Sequence, residues 1–157
     1  VSVWEIELPA GLPLLNSNQR LHHHPRARAT RRLRHEAMIA SLAARVPYLG
    51  EAFVLGYVHP AANRRFDSAN FYPSFKAAVD GALVDAGVVP DDDHLHVSGP
   101  HMYPAHKIPG GQLRLIVMAS RRCRCGHDET EHIGEDGRCV RPGCGCLYHR
   151  PAVAGAV

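Results

Sequence analysis

Apolar and polar side chains alternate from Val3 to Leu8, the two-residue period of a half-buried strand. Pro9, Gly11 and Pro13 end it. The next periodic stretch has helical spacing: Leu33, Ala37, Met38, Leu42 and Val46 form one apolar face. Thr30 is the expected N-cap of this helix, which should run to about Arg45, before Pro47. Residues 52–58 read as a more buried strand. A second helix follows, with Pro73 in its first turn, Phe75, Ala78, Val79, Ala82, Leu83 and Ala86 on its apolar face, and Gly87 at the left-handed position past its end. Residues 94–103 and 112–119 read as two strands around a turn containing Pro109-Gly110-Gly111. The order β-α-β-α-β-β predicts an α/β (α+β) domain, with one mixed sheet and helices packed against it.

Cysteine placement divides the chain. All five cysteines fall between residues 123 and 146. The expected organisation is a body over residues 1–120, a cysteine- and histidine-rich segment over 121–150, and a frayed end over 151–157. A hydrophobic fraction of 45% in 157 residues suits one folded domain. No apolar run approaches the roughly 20 residues that span a bilayer, and no leader pattern is present, so a cytoplasmic location without a membrane partner is expected.

The formal charge of +3 is small, but its distribution is not even. From Leu8 to His35 there is no acidic residue, while Arg20, Arg26, Arg28, Arg31, Arg32 and Arg34 all fall inside that stretch. Arginine offers paired donors to phosphate, and the nearby Asn16 and Asn18 can bond phosphate or sugar oxygens. The segment is therefore expected to grip a nucleic-acid backbone, the alternative being a solvated basic helix face. His22, His23 and His24 are expected in a flexible polar loop, since consecutive histidines rarely converge on one ion.

Acidic residues concentrate elsewhere. Six of the fifteen lie between residues 67 and 93: Asp67 before the second helix, Asp80 and Asp85 on it, and Asp91, Asp92 and Asp93 beyond it. Lys76 and Asp80 are four residues apart and share a helix face bordering the apolar stripe. Carboxylates from separate loops are the usual ligands of Mg²⁺, which can activate water for phosphodiester hydrolysis. A neighbouring lysine would stabilise charge developing on the phosphate. The bland alternative is a polar turn beside a surface ion pair.

A family resemblance bears on that choice. The run Arg64-Arg65-Phe66-Asp67-Ser68-Ala69-Asn70, then Lys76, Asp80-Gly-Ala-Leu83, Asp85-Ala-Gly87 and Asp91-Asp92, resembles the core of RusA-type Holliday junction resolvases. Leu8-Pro9 and Asn16-Ser17-Asn18-Gln19-Arg20 resemble the family's opening strand and Asn-rich loop. The resemblance covers roughly residues 3–119. It implies a Mg²⁺-dependent homodimer that cuts four-way DNA junctions by paired nicks, acting in recombination or repair. It also implies catalytic roles for Asp67, Lys76, Asp80, Asp91 and Asp92, with Mg²⁺ on Asp67, Asp80 and Asp92. DNA contacts would come from Asn16, Asn18, Arg20, Arg26, Arg28, Arg31, Arg64, Arg65 and Asn70. Two departures stand out: the family's second carboxylate falls on Ala69, and the stretch from Asn70 to Lys76 is three residues longer. Asp80 or Asp93 would then have to compensate as a ligand, or the metal would bind weakly.

The tail supplies eight soft or borderline ligands within 27 residues, far above chance for a segment that small. A structural Zn²⁺ site is expected, with ligands drawn from Cys123, Cys125, His132, Cys139, Cys144 and Cys146, forming a small C-terminal zinc knuckle. The competing function is a non-catalytic nucleic-acid-binding zinc protein with a degenerate site. A zinc-dependent hydrolase fits less well, because the tail offers closed-site ligands.

Overall fold

The computed structural model describes residues 2–119, 132–133 and 138–144. The chain divides into two compact units, Val1–Ala119 and Ser120–Val157. The first unit carries β1 (Val3–Glu7), α1 (His23–Ala43), β2 (Ala52–His59), a 3₁₀ turn (Ser68–Phe71), α2 (Tyr72–Val79), a π-helical turn (Asp80–Asp85), β3 (Val97–Pro104) and β4 (Gln112–Ala119). The fold is therefore mixed α+β, in the order the hydrophobic pattern predicts. The four strands form one mixed sheet in the order β1-β4-β2-β3. Here β4 runs antiparallel to both β1 and β2, and β3 runs parallel to β2. A parallel neighbour needs a crossover, and α2 with its π turn supplies it.

Alternation decides which side of the sheet is core. Ile6 and Leu8, Val54 and Val58, and Leu113, Leu115 and Val117 are buried in one cluster with Leu33, Ala37, Phe75, Ala78 and Leu83 from the helices. Burial of side chains such as Leu33 and Phe75, both fully enclosed, contributes about 1.5–3 kcal/mol each. The opposite face carries half-buried Phe53, Leu55, Tyr57, Ile116 and Met118. On that face Arg114 lies over the Tyr57 ring at 4.8 Å and donates to Glu5 at 2.7 Å. Two glycines permit the close packing. A Cβ at Gly56 would run into the Phe75 ring, and one at Gly81 would strike the carbonyl of Arg34.

Three sequence expectations about element ends need correction. The first helix begins at His23, not after Thr30, whose hydroxyl donates back to the Arg26 carbonyl at 3.0 Å inside the helix. Pro25 falls in the first turn, where its missing N–H is no loss, so His23 and His24 open the helix and do not form a polar loop. The second helix is α-helical only to Val79 and then widens. Ala86 N–H donates to the Gly81 carbonyl at 3.2 Å and Val88 N–H to the Leu83 carbonyl at 2.8 Å, both five-residue spacings. Gly87 does adopt a left-handed conformation, with φ 73°. The third strand starts at Val97, because the Asp93 carboxylate accepts from the amides of Leu95 and His96 and closes a turn there.

In the second unit, β5 (His132–Ile133) pairs antiparallel with β6 (Arg138–Cys139), placing His132 opposite Cys139 in register. Cys139 is buried, and Cys144 N–H donates to the Arg141 carbonyl at 3.1 Å. Cys123, Cys125 and Cys146 lie outside the described residues, as does the 151–157 end. Among the described residues, no helix is long and apolar enough to cross a membrane.

Candidate functional site

Two neighbouring features gather most of the residues singled out from sequence. The first is a charged cluster on α2 and the loop that follows it. Lys76 lies on the second turn of α2, and its ammonium group donates to Asp80 Oδ1 at 2.5 Å. Past Gly87 the chain reverses. Val88 and Val89 are buried, and the Val88 carbonyl accepts from Leu49 N–H at 2.8 Å. That anchoring returns the Asp91-Asp92 pair alongside α2, where Asp92 Oδ2 is the second partner of Lys76. The side chains of Lys76, Asp80 and Asp92 are 41%, 21% and 27% exposed, so the cluster is reachable from solvent while more than half of each side chain is covered by protein.

Arg34 of α1 completes the network. It forms a two-point pair with Asp85 through Nε and through Nη2, the latter at 2.6 Å, and its Nη1 lies 3.8 Å from Asp80 Oδ2. The hydrogen bond from Arg34 holds the Asp85 carboxyl below the ordinary carboxylate range, outweighing the opposite pull of desolvation. Asp80 thus stands between two cations. In the sequence Arg34 stands only as one member of a basic run. Nothing local in the sequence pairs it with Asp85, 51 residues away.

The remaining acidic residues have other partners. Asp91 Oδ1 accepts from Asp92 N–H at 2.8 Å and fixes the loop. Asp93 is engaged with His96, by both amide and ring Nδ1, the latter at 2.7 Å, in the turn before β3. Asp67 caps the 3₁₀ turn, accepting from Ala69 N–H at 2.9 Å. It is not part of the Lys76 contact, and among the described residues no three His, Cys, Asp or Glu side chains come close enough to hold a metal. Asp80 and Asp92 nevertheless converge on one positive centre. Two oxygen donors aimed at a single cation suit Mg²⁺, which commonly takes one or two carboxylates and keeps water or substrate oxygens in its other positions.

The second feature is a cleft of about 640 Å³ between the loop after β1 and the segment joining β2 to α2. Asn16, Asn18, Arg64, Arg65, Asp67 and Asn70 all line it. Its two walls are tied together. Ser17 N–H donates to the Asn70 carbonyl at 2.7 Å, and buried Ser74 of α2 both accepts from Leu15 N–H at 2.6 Å and donates to the Leu15 carbonyl at 2.8 Å. Ser74 had no distinguishing signal in the sequence; only its place on the inner face of the helix gives it this role.

Of the expected DNA-contacting arginines, Arg64 and Arg65 reach the cleft, Arg20 lies in the exposed loop, and Arg26, Arg28 and Arg31 are exposed along α1. Arg28 and Arg31 share a helix face, whereas Arg26, two residues before Arg28, does not. Among the described residues none of these six has an acidic partner. Comparison with models of known protein families and with curated proteins finds no match to this chain.

Proposed function

We propose that this chain is a Mg²⁺-dependent, structure-selective DNA endonuclease of the RusA type, nicking four-way junctions in pairs as a homodimer in the cytoplasm. The observation that carries the reading is the convergence of Asp80 and Asp92 on Lys76. An ion pair at helical spacing is ordinary; a second carboxylate brought to it from a separate loop puts two oxygen donors and a cation within one reach, which is compatible with metal-assisted phosphodiester hydrolysis. The exposed arginines without acidic partners, beside an Asn-lined cleft that also contains Asp67, supply the polyanion-binding side of the same reading.

The chain's own groups divide the work. Arg64, Arg65, Arg28 and Arg31 hold the phosphate backbone and set the position of the strand. Lys76 donates to the oxygens of the scissile phosphate, where negative charge grows as water adds and the leaving oxygen departs. Arg34 keeps Asp80 oriented through its contacts with Asp80 and Asp85. Asp80 and Asp92 would hold the Mg²⁺, whose chemistry is to lower the pKa of water and neutralise phosphate charge, while Asp67 stands apart from them on the 3₁₀ turn. In the tail, a structural Zn²⁺ would take four ligands drawn from Cys123, Cys125, His132, Cys139, Cys144 and Cys146.

The test is nicking of a synthetic four-way junction against linear duplex, with Mg²⁺ and with EDTA. Symmetric, Mg²⁺-dependent cuts confined to the junction are expected. One observation favours a second reading, a non-catalytic nucleic-acid-binding zinc protein: alanine stands at position 69 and, among the described residues, no third carboxylate joins Asp80 and Asp92. That protein would bind the junction equally well with EDTA and cut nothing.

A further inference from the structure

The cleft is built for more than a phosphate. Its apolar lining comes from Leu12, Leu14, Phe66 and Phe71, the two rings meeting edge-to-face with centroids 5.9 Å apart. Asn18 and Asn70 also line it, their carboxamides without a hydrogen-bond partner among the described residues, as does Gln19, whose side-chain oxygen accepts from Asn16 N–H at 3.1 Å and leaves its NH₂ group available. A lone phosphate needs positive donors and no apolar wall. A volume of about 640 Å³ lies in the range of pockets that enclose an organic ring system.

We propose that this cleft takes up one unpaired nucleobase of a DNA strand. A carboxamide offers a donor and an acceptor side by side, the pattern that complements a base edge. The apolar lining covers the ring faces, and Arg64 and Arg65 at the rim meet the flanking phosphates. A base held within a duplex keeps its ring faces stacked on its neighbours, so the apolar lining can cover them only when the base is rotated out of the stack. A branch point is where that rotation costs least, because pairing and stacking are already interrupted there. The hydrogen bonds that join the walls, Ser17 to Asn70 and Gly11 N–H to the Gly111 carbonyl at 2.9 Å, preform the cleft. The nuclease reading supplies only the identity of the strand. The base pocket itself stands on the lining.

Two measurements test it on the full chain. In the first, the side-chain amides of Asn18 and Asn70 are followed by NMR during titration with the tetranucleotides dT4 and dA4. Both signals should shift in the wild type. Affinity should fall on the order of tenfold, the loss of one stacked base, in A62W, which fills the cleft from an exposed loop position, and should also fall in N70A, which removes one of the two carboxamides. In the second, four-way junctions carry 2-aminopurine beside the crossover, in Ca²⁺ to prevent cutting. Fluorescence should change at one position on binding to the wild type and not to A62W. Junction binding with silent amides and silent 2-aminopurine overturns the pocket, as does an unchanged tetranucleotide response in both variants. Amide shifts and a 2-aminopurine change without any nicking in Mg²⁺ uphold the pocket and remove the nuclease reading.

Discussion

The carboxylate of Asp92 meets the ammonium group of Lys76 across sixteen residues of chain, next to Asp80 on the following helical turn. The contact depends on a reversal at Gly87, whose φ of 73° suits a residue without Cβ, and on burial of Val88 and Val89. Packing therefore holds the loop, and the ion pair does not have to. At such exposure a Lys–Asp pair contributes about 0–1 kcal/mol, too little to fix a loop. The geometry is a consequence of the core, which leaves the charges available to exchange partners.

Asp92→Asn tests that availability. The amide can still bond to Lys76 but offers no charge to a divalent cation. Cleavage of four-way junctions should drop by at least two orders of magnitude, while junction affinity in a gel-shift assay stays within about twofold, as expected for a group outside the binding arginines. Thermal unfolding should move by less than the equivalent of about 1 kcal/mol. Cutting that survives at the wild-type rate places the chemistry elsewhere.

Ala69→Asp asks the opposite question. Residue 69 is exposed on the 3₁₀ turn, and its amide donates to Asp67, so the change needs no repacking and adds a carboxylate two residues from Asp67. Under the nuclease reading the Mg²⁺ concentration for half-maximal nicking should fall, by roughly the 10- to 100-fold that supporting groups contribute at metal sites. An unchanged or higher Mg²⁺ requirement would show that position 69 does not face the metal.

The order of elements was legible in the sequence because each has a strong period, the alternation of Val3–Leu8 and the 3-4 spacing from Phe75 to Ala86. The ends were not. Thr30 is a good capping residue by type, but the helix extends seven residues upstream because Pro25 fits a first turn and the histidines tolerate one. The π turn at Asp80–Asp85 left no mark in the pattern, since a single wide turn changes only where the later residues point. At the site, the Lys76–Asp80 pair followed from spacing, whereas Asp92 joining it required the reversal at Gly87. The Arg34–Asp85 pair and the Ser74–Leu15 bonds are long-range, and no local pattern encodes them.

Ser74 ties the loop that carries Asn16 and Asn18 to α2 with two hydrogen bonds at a fully buried position. Ser74→Ala strips the Leu15 N–H and carbonyl of their partner in an enclosed place. A loss of about 1–3 kcal/mol is expected in urea unfolding, with faster hydrogen exchange at Leu15 and Ser17. Ser74→Thr retains the hydroxyl and should recover part of the exchange protection.

The Arg34–Asp85 pair gives the fold a defined response to acid. Asp85 titrates below its ordinary value of 3.8 because the Arg34 hydrogen bond favours its charged form, despite desolvation. A depressed native value means that the stability it brings is fully present above the unfolded value and disappears as pH falls through the native one. Asp85→Asn should therefore cost about 1 kcal/mol, discounted for the exposure of Arg34, equally at pH 7 and pH 5. Below about pH 4 the two proteins should converge in urea midpoint. A difference that persists undiminished to the lowest pH would mean that packing, and not the charge, is what the substitution removed.

Arg28 and Arg31 separate a DNA-binding face from a merely solvated one. They are exposed three residues apart on α1, with no acidic partner among the described residues. If each neutralises one phosphate, replacing either by alanine should weaken junction binding to a similar degree for every sequence tested. It should also reduce the slope of log affinity against log salt by about 1. The double variant should lose about 2, since two charges on separate phosphates add. Arg26→Ala is the internal control, because its side chain leaves the helix on a different face and should change the slope least. Equal slopes in all three variants would assign α1 to solvent and leave the grip on DNA to Arg64 and Arg65 beside the cleft.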